Sequence, residues 1–190
     1  MTDATQGVGD ETLATLARRG DHAAFNALIG KYKEPLYRFI RRYVGQADDA
    51  YDVLQDSFIA AWTALHRYDS NRPFSPWLYR IALNKCRDFG RRQAVRRALL
   101  RIVSVEPQDA SQSDAELNDT EAQAADRLHR LNRAISDLPA RYKEPLLLTA
   151  MEGRSHDEAA QILGVSSKAV EMRLYRARQC LRETMGESEG

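Results

Sequence analysis

The chain has 190 residues, of which 43% are hydrophobic and 29% charged, a composition typical of one medium or two small soluble globular domains. It contains no apolar run long enough for a membrane span or a secretory signal, so we expect a cytoplasmic protein with no direct membrane insertion. Cys86 and Cys180 lie far apart, the four histidines are scattered, and no Gly-rich phosphate loop is present. This inventory argues against a disulfide framework, a metal site, a cofactor and an enzymatic activity.

The net charge of +1 conceals an alternation along the chain. Residues 31–101 contain 15 Lys and Arg against 7 Asp and Glu, and residues 127–182 contain 11 against 6. Between these basic regions, residues 104–126 contain 7 acidic residues and no Lys or Arg. Because solution fields are screened over about 8–10 Å, partners respond to these local charges rather than to their sum.

This pattern predicts an all-α protein in which a flexible acidic linker joins two small helical domains. The expected division is a partly disordered tail at 1–20, a first domain at 21–101, the linker at 102–126, a second domain at 127–185 and a tail at 186–190. The linker is poor in aromatic residues and rich in Ser, Gln, Asp and Ala, so it cannot bury enough apolar surface to order itself. The alternative is the loop of a helical hairpin inside one domain, and the stretch from Asp119 onward is compatible with the start of the next helix.

In the first domain, apolar residues recur at helical spacing from Phe25 to Tyr43 and again from Ala50 to Leu65. The second of these helices also carries acidic residues at spacings of 3 and 4, namely Asp49, Asp52 and Asp56. The pattern therefore predicts an amphipathic helix with one acidic exposed face.

A turn-rich loop, RYDSNRPF at residues 67–74, precedes a third helix that begins near Ser75 and Pro76. One face of this helix is apolar, and Trp77 is expected in the core rather than as a stacking platform. The other face carries a basic and amide stripe at spacings of 4, 3 and 4, formed by Arg80, Asn84, Arg87 and Arg91. Residues 80–101 hold 8 Lys and Arg and one acidic residue, which favours a polyanionic partner.

Near the end of the chain, SHDEAAQILGVSSKAVEMRLYRARQCL at residues 155–181 has the spacing of a helix-turn-helix. Ala160 is a small residue where two helices cross, Gly164 suits a left-handed turn, and Val170 anchors the second helix. In this motif the N-terminal part of the second helix enters the major groove. Candidates for contact with base edges are Lys168, Glu171, Met172 and Tyr175, and candidates for contact with phosphates are Arg173, Arg176 and Arg178.

Taken together, three blocks resemble a bacterial sigma-70 family RNA polymerase sigma factor of the extracytoplasmic-function (ECF) group. They are DAYDVLQDSFIAAW at 49–62, PFSPWLYRIALNKCRDFGRR at 73–92 and LPARYKEPLLLTAMEGRSHDEAAQILGVSSKAVEMRLYRAR at 138–178. The similarity extends over roughly residues 10 to 183. It implies a sigma-2-like domain, a sigma-4-like domain and a linker that threads the polymerase active-site cleft and RNA exit channel.

The resemblance implies that the protein directs core RNA polymerase to specific promoters and promotes open-complex formation, with an anti-sigma factor as a further partner. It assigns core-polymerase binding to Asp49, Asp52, Gln55 and Asp56. It assigns −10 DNA binding to Asn71, Arg72, Arg80, Asn84, Lys85, Arg87 and Arg91, with the loop from Tyr68 to Arg72 capturing an unstacked base. It assigns −35 DNA binding to Ser166, Ser167, Lys168, Glu171, Met172, Arg173, Tyr175 and Arg176.

Glu171 departs from the family pattern, in which this position is commonly non-acidic. A glutamate accepts a hydrogen bond from a cytosine amino group but repels phosphate, so the −35 sequence that is read here is expected to differ. Two other interpretations stay open: a regulator that uses only the helix-turn-helix, and an adaptor that mimics a sigma factor to sequester a regulator. The stripe of basic residues from Arg80 onward argues against both, because it is a second nucleic-acid surface.

Overall fold

This computed structural model describes residues 8–103 and 119–186. These residues form eight α-helices and no strand, so the predicted all-α class with two helical domains is confirmed. The helices are α1 (Asp10–Arg18), α2 (His22–Val44), α3 (Ala47–Ala64), α4 (Phe74–Val103), α5 (Asp119–Asp137), α6 (Ala140–Leu146), α7 (His156–Leu163) and α8 (Ser167–Met185). Most of the predicted linker and parts of both predicted tails, residues 1–7, 104–118 and 187–190, lie outside the described residues. None of the described helices is both long and apolar enough to cross a bilayer.

Helices α2, α3 and α4 form the core of the first domain. The apolar stripe of α2 places Leu36, Phe39 and Ile40 at zero exposure, and Ala50 and Ala61 of α3 are equally buried against it. Helix α4 contributes a buried face at spacings of 4, formed by Leu78, Ala82 and Cys86. The opposite face of α4 therefore carries the basic stripe away from the domain core.

Part of the segment predicted as an N-terminal tail is helix α1. Its buried residues Leu13, Ala14 and Ala17 share one face of the helix and pack on α2. Asp10 fixes the start of α1, since its carboxylate accepts hydrogen bonds from the Lys31 ammonium at 2.6 Å and from the Tyr32 hydroxyl at 2.5 Å. Burial, reinforced by the Asp10 carboxylate, raises the pKa of Tyr32 well above its usual value.

The second domain contains the predicted helix-turn-helix, formed by α7 and α8. Ser155 and Glu158 form a reciprocal capping box at the start of α7, in which each side chain bonds the other residue's backbone amide. Gly164 ends α7 at φ 69°, a left-handed conformation that favours glycine. Ser166 then caps α8 by accepting a hydrogen bond from the Ala169 amide at 3.2 Å.

The two domains pack against each other. Helix α4 contacts α7, and helix α2 contacts both α5 and a π-helical turn at Leu147–Met151 that follows α6. Buried residues of both domains form one continuous apolar cluster, with Leu83 and Cys86 on one side and Leu147 and Ile162 on the other. The two domains therefore adopt a closed arrangement.

Replacing Ser155 by alanine is expected to lower the free energy of unfolding by about 1 kcal/mol, because it removes the side chain from the capping box. The measurement is urea denaturation followed by circular dichroism at 222 nm. Ser155→Thr, which keeps the capping hydroxyl, should stay within a few tenths of a kcal/mol of the wild type. Equal midpoints for the alanine and threonine variants would show that the cap does not stabilise this domain.

Candidate nucleic-acid interface

Helix α8 turns one face to the core and the other to solvent. Val170, Leu174 and Ala177 are buried. The exposed face carries the residues predicted for DNA contact at spacings of 3 and 4, namely Lys168, Glu171, Met172, Tyr175 and Arg176. Two large side chains on it, Met172 and Tyr175, are about half exposed, at 49% and 52%. A face of this kind is available to a major groove.

Two other residues predicted for −35 contact, Ser166 and Ser167, form hydrogen bonds within the domain. The Ser166 side chain is the cap of α8, and the Ser167 hydroxyl donates a hydrogen bond to the Asp157 carboxylate. Arg173 is half-buried. Ser166 and Ser167 thus fix the position and start of α8.

The exposed face of α8 has its own ion pair and hydrogen bonds. The Lys168 ammonium lies 2.8 Å from Glu171, and its hydrogen bond lowers the pKa of that carboxyl. The Arg176 guanidinium donates to Gln179, whose amide donates to the Tyr175 hydroxyl. Because such exposed pairs are weak, these side chains can exchange their partners for DNA.

The acidic face of α3 lies on the first domain. Asp52, Gln55 and Asp56 are exposed, whereas Asp49 is half-buried. Beside them lie two apolar residues that the acidic pattern did not indicate, Tyr51 at 49% exposure and Ile59 at 64%. Tyr51 stacks on Tyr37 with ring centroids 4.5 Å apart, so it is held in place. Exposed apolar side chains within a polar rim are typical of a protein-binding surface.

The loop between α3 and α4 borders a cavity of about 610 Å³. The cavity is lined by Arg67, Tyr68, Asp69, Arg72, Pro73, Pro76, Trp77, Arg80 and Gln161. Tyr68 is itself buried, and its hydroxyl donates to the Arg72 carbonyl at 2.5 Å, which fixes the loop from inside. Trp77, expected in the core, is half-buried against Phe74 and Tyr68 and also lines this cavity. Aromatic and cationic side chains around an open cavity suit a flipped-out base.

Helix α1 holds this loop at both ends. The Arg18 guanidinium donates to the Tyr68 carbonyl at 3.2 Å, where the loop begins. The Glu11 carboxylate accepts from the Phe74 amide at 3.2 Å, where α4 begins. A carboxylate at that position satisfies one of the unpaired amides of the first helical turn. No motif in the sequence pointed to these two residues, which lie 50 and 63 positions from their partners.

The residues predicted for −10 contact fall into two groups. Asn71, Arg72, Asn84 and Arg91 are exposed, and Lys85 is half-buried. Arg80, which is also exposed, and the half-buried Arg87 form bonds to the second domain. The Arg80 guanidinium donates to the carbonyls of Gln161 and Ile162, and the Arg87 guanidinium binds both carboxylate oxygens of Glu144.

The chain is similar to known proteins both in its sequence and in its structure. A family model of sigma-70 region 2 matches residues 28–96, and one of sigma-70 region 4 matches residues 128–181. The chain is 38% identical over 180 residues to the RNA polymerase sigma factor NccH of Alcaligenes xylosoxydans xylosoxydans, covering 95% of this chain and 96% of NccH. It is 30% identical over 176 residues to the ECF RNA polymerase sigma-E factor of Salmonella typhimurium, covering 90% and 92%. The solved structure of CnrH in complex with the cytosolic domain of CnrY matches with a TM-score of 0.69 and 33% identity, over 95% of this chain and 99% of that chain.

Replacing Glu11 by alanine should accelerate hydrogen exchange of the Phe74 amide on the order of tenfold, since a hydrogen bond to a charged group contributes roughly 1.5–3 kcal/mol. The measurement is hydrogen exchange by mass spectrometry on a peptide covering residues 68–76. Glu11→Gln keeps an acceptor oxygen and should restore most of the protection. Glu34→Ala, which removes a 71% exposed carboxylate from α2, is the charge-matched control. Equal exchange in the Glu11 and Glu34 variants would show that α1 does not hold the loop.

Proposed function

This chain belongs to the sigma-70 family of RNA polymerase sigma factors, in the ECF group, and from that premise we propose that it is a promoter-specificity subunit. It directs core RNA polymerase to particular promoters and promotes their opening. The observation that carries this proposal is the presence of both sigma regions, in order, in one chain whose recognition helix exposes its polar face. A regulator using only the helix-turn-helix has no need of the first region.

The acidic face of α3, with Asp52, Gln55 and Asp56 as its exposed members, is the proposed surface for the polymerase core. Tyr51 and Ile59 extend it with apolar area that aspartates alone do not supply. An interface of this kind uses the apolar residues for affinity and the charges for orientation and association rate. Asp49 is half-buried in the first turn of α3. It contributes to this surface mainly through its negative charge near the helix N-terminus.

DNA recognition is divided between the two domains. In our proposal α8 reads the −35 element as duplex, with Lys168, Glu171, Met172 and Tyr175 nearest the bases and Arg176 on phosphate. The loop at Tyr68–Arg72 and the basic face of α4 bind the −10 element as a single strand, with the cavity beside Trp77 receiving a flipped base. The bond-forming chemistry belongs to the polymerase, and this protein supplies recognition and melting.

Regulation and location follow from the same premise. We infer a cytoplasmic protein that a separate regulatory protein, an anti-sigma factor, holds inactive. The solved structure of CnrH with the cytosolic domain of CnrY supports a protein partner for this fold. An adaptor that only sequesters a regulator has no use for the exposed −35 face, which favours the sigma factor.

The direct test is transcription in vitro with purified core polymerase and fragmented genomic DNA, with and without this protein. Sequencing of the 5′ ends should reveal new start sites that share two upstream elements. A protein that binds core polymerase but yields no new start sites would behave as an adaptor, and one that binds DNA without core would behave as a regulator.

Combining Asp52→Ala with Gln55→Ala is expected to weaken binding to core polymerase about tenfold, because both side chains are exposed at the proposed interface. Fluorescence anisotropy of the labelled chain titrated with core polymerase measures this affinity. The matched control combines Asp137→Ala with Asn132→Ala, an exposed acid and amide on α5. If both double variants bind core as the wild type does, the face on α3 is not the docking surface.

Combining Lys168→Ala with Arg176→Ala should reduce transcription about tenfold or more from promoters that depend on a −35 element, since one specific base contact contributes roughly 1–3 kcal/mol. The slope of log DNA affinity against log salt concentration is negative. Its magnitude should decrease by about 1 for each phosphate-binding side chain that is removed. Arg130→Ala, on the exposed part of α5, serves as the charge control. An equal loss on promoters without a −35 element would show that α8 acts through another step.

A further inference from the structure

Helix α1 has a fixed position on the first domain. Its apolar face packs on α2, and the Asp10 carboxylate accepts hydrogen bonds from Lys31 and Tyr32 of α2 at 2.6 and 2.5 Å. The Tyr32 ring in turn lies beside Phe74, the first residue of α4, with ring centroids 5.7 Å apart. The match to the model of sigma-70 region 2 begins at residue 28, so α1 lies before it in the chain.

Two charged residues of α1 share a face that meets both ends of the loop at Tyr68–Arg72. Glu11 and Arg18 lie about two helical turns apart, which places them on the same side of α1 and about 10 Å apart along its axis. Arg18 donates to the carbonyl of Tyr68, and Glu11 accepts from the amide of Phe74, both at 3.2 Å. Hydrogen bonds with one charged partner are stronger than those between neutral groups, so each end of the loop is well anchored.

Between these anchors the loop is closed by its own hydrogen bonds. The Tyr68 hydroxyl donates to the Arg72 carbonyl at 2.5 Å, and the Arg72 amide donates to the Asp69 carbonyl at 3.0 Å. A turn bonded in this way keeps its shape when it moves as a unit. In the part of the chain that the structure describes, the hydrogen bonds that tie residues 68–74 to another α-helix come from the two charged residues of α1. The shape of the loop is therefore local, whereas its position depends on α1.

The position of the loop determines the width of the cavity. Asp69 and Arg72 of the loop line the same cavity as Trp77 of α4. A base that enters the cavity has to contact the loop and the Trp77 ring together. Because a gap of about 1 Å forfeits up to half of the dispersion energy of a contact, a small displacement of the loop would remove much of the stacking.

We propose that Glu11 and Arg18 are positioning residues for base capture and that α1 is part of the −10 recognition apparatus. Neither side chain contacts the strand in this proposal. Together they hold the loop at the distance from Trp77 that a flipped base requires. The inference rests on the proposed capture of a −10 base in this cavity, and it gives a role to a helix that the −10 residues listed above do not include.

The test uses holoenzyme, reconstituted from the full chain and core polymerase, with forked DNA from a promoter that the transcription experiment identifies. The fork is duplex through the −35 element and carries the −10 element as a single non-template strand. Each −10 nucleotide is replaced in turn by an abasic one, and fluorescence anisotropy measures the loss of affinity. The captured base is the position at which wild-type holoenzyme loses most, about tenfold for one stacked base.

We expect this tenfold abasic penalty to fall to about two- to threefold in Glu11→Ala and in Arg18→Ala, with unchanged penalties at the other −10 positions. Glu11→Gln keeps an acceptor oxygen and should retain most of the penalty. The charge-matched controls Glu34→Ala and Arg19→Ala, at exposed positions of the same domain, should retain all of it. Each penalty compares two DNAs on one protein, so a lower folded fraction cancels and a merely structural role would leave the penalty unchanged.

A full tenfold penalty in both alanine variants would overturn the proposal and leave base capture intact. An equal fall in the two controls would also overturn it, because the effect would then be one of charge. The absence of a new promoter, or a wild-type holoenzyme with equal penalties at every −10 position, would overturn the proposed function and this inference with it. Should Glu11→Ala fail to fold, Arg18→Ala decides, since Arg18 is exposed and its loss leaves the Phe74 amide bonded.

Discussion

The packing of the two domains against each other depends on the buried carboxylate of Glu144. A charge at 3% exposure is stable only when it is paired and hydrogen-bonded, because desolvation costs several kcal/mol. Arg87 and Tyr43 supply that pairing, and both belong to the other domain. Separation of the domains would therefore exchange a paired buried charge for a hydrated one. The same environment raises the pKa of the Cys86 thiol, chiefly through burial, and makes that cysteine an inert packing residue.

Helix α4 combines three roles because its faces are distinct. One face is buried in the first domain, the start of the helix borders the cavity beside Trp77, and the basic face meets the second domain. Tyr79 lies on this helix. Burial, and to a smaller extent the nearby Glu152 carboxylate, raises the pKa of the Tyr79 hydroxyl to about 12, so the hydroxyl remains a hydrogen-bond donor. A single helix thereby couples the position of the loop at Tyr68–Arg72 to the position of the second domain.

Periodicity in the sequence was sufficient for helices α2, α3 and α4 and for the helix-turn-helix. The apolar spacing from Phe25 to Tyr43 and the Ala160, Gly164 and Val170 triplet correspond to α2 and to the α7–α8 turn, because local patterns determine local structure. Helix α1 was missed, since nine residues with only three buried positions give a weak pattern. The Glu144–Arg87 pair had no sequence signal at all, because its members are 57 residues apart and each resembles an ordinary surface charge. The exposed residues of α3 and α8 that we propose for partner contact were therefore accessible from sequence, whereas those that hold the closed form were not.

The closed arrangement leaves some of the proposed contact surfaces exposed and engages others. The acidic face of α3 and the exposed face of α8 are open to solvent while Arg80 and Arg87 bond to the second domain, so the contacts that we propose with polymerase and with duplex DNA need no separation of the domains. In the closed arrangement the Arg87 guanidinium binds both carboxylate oxygens of Glu144, so it cannot bind a phosphate in the same geometry at the same time.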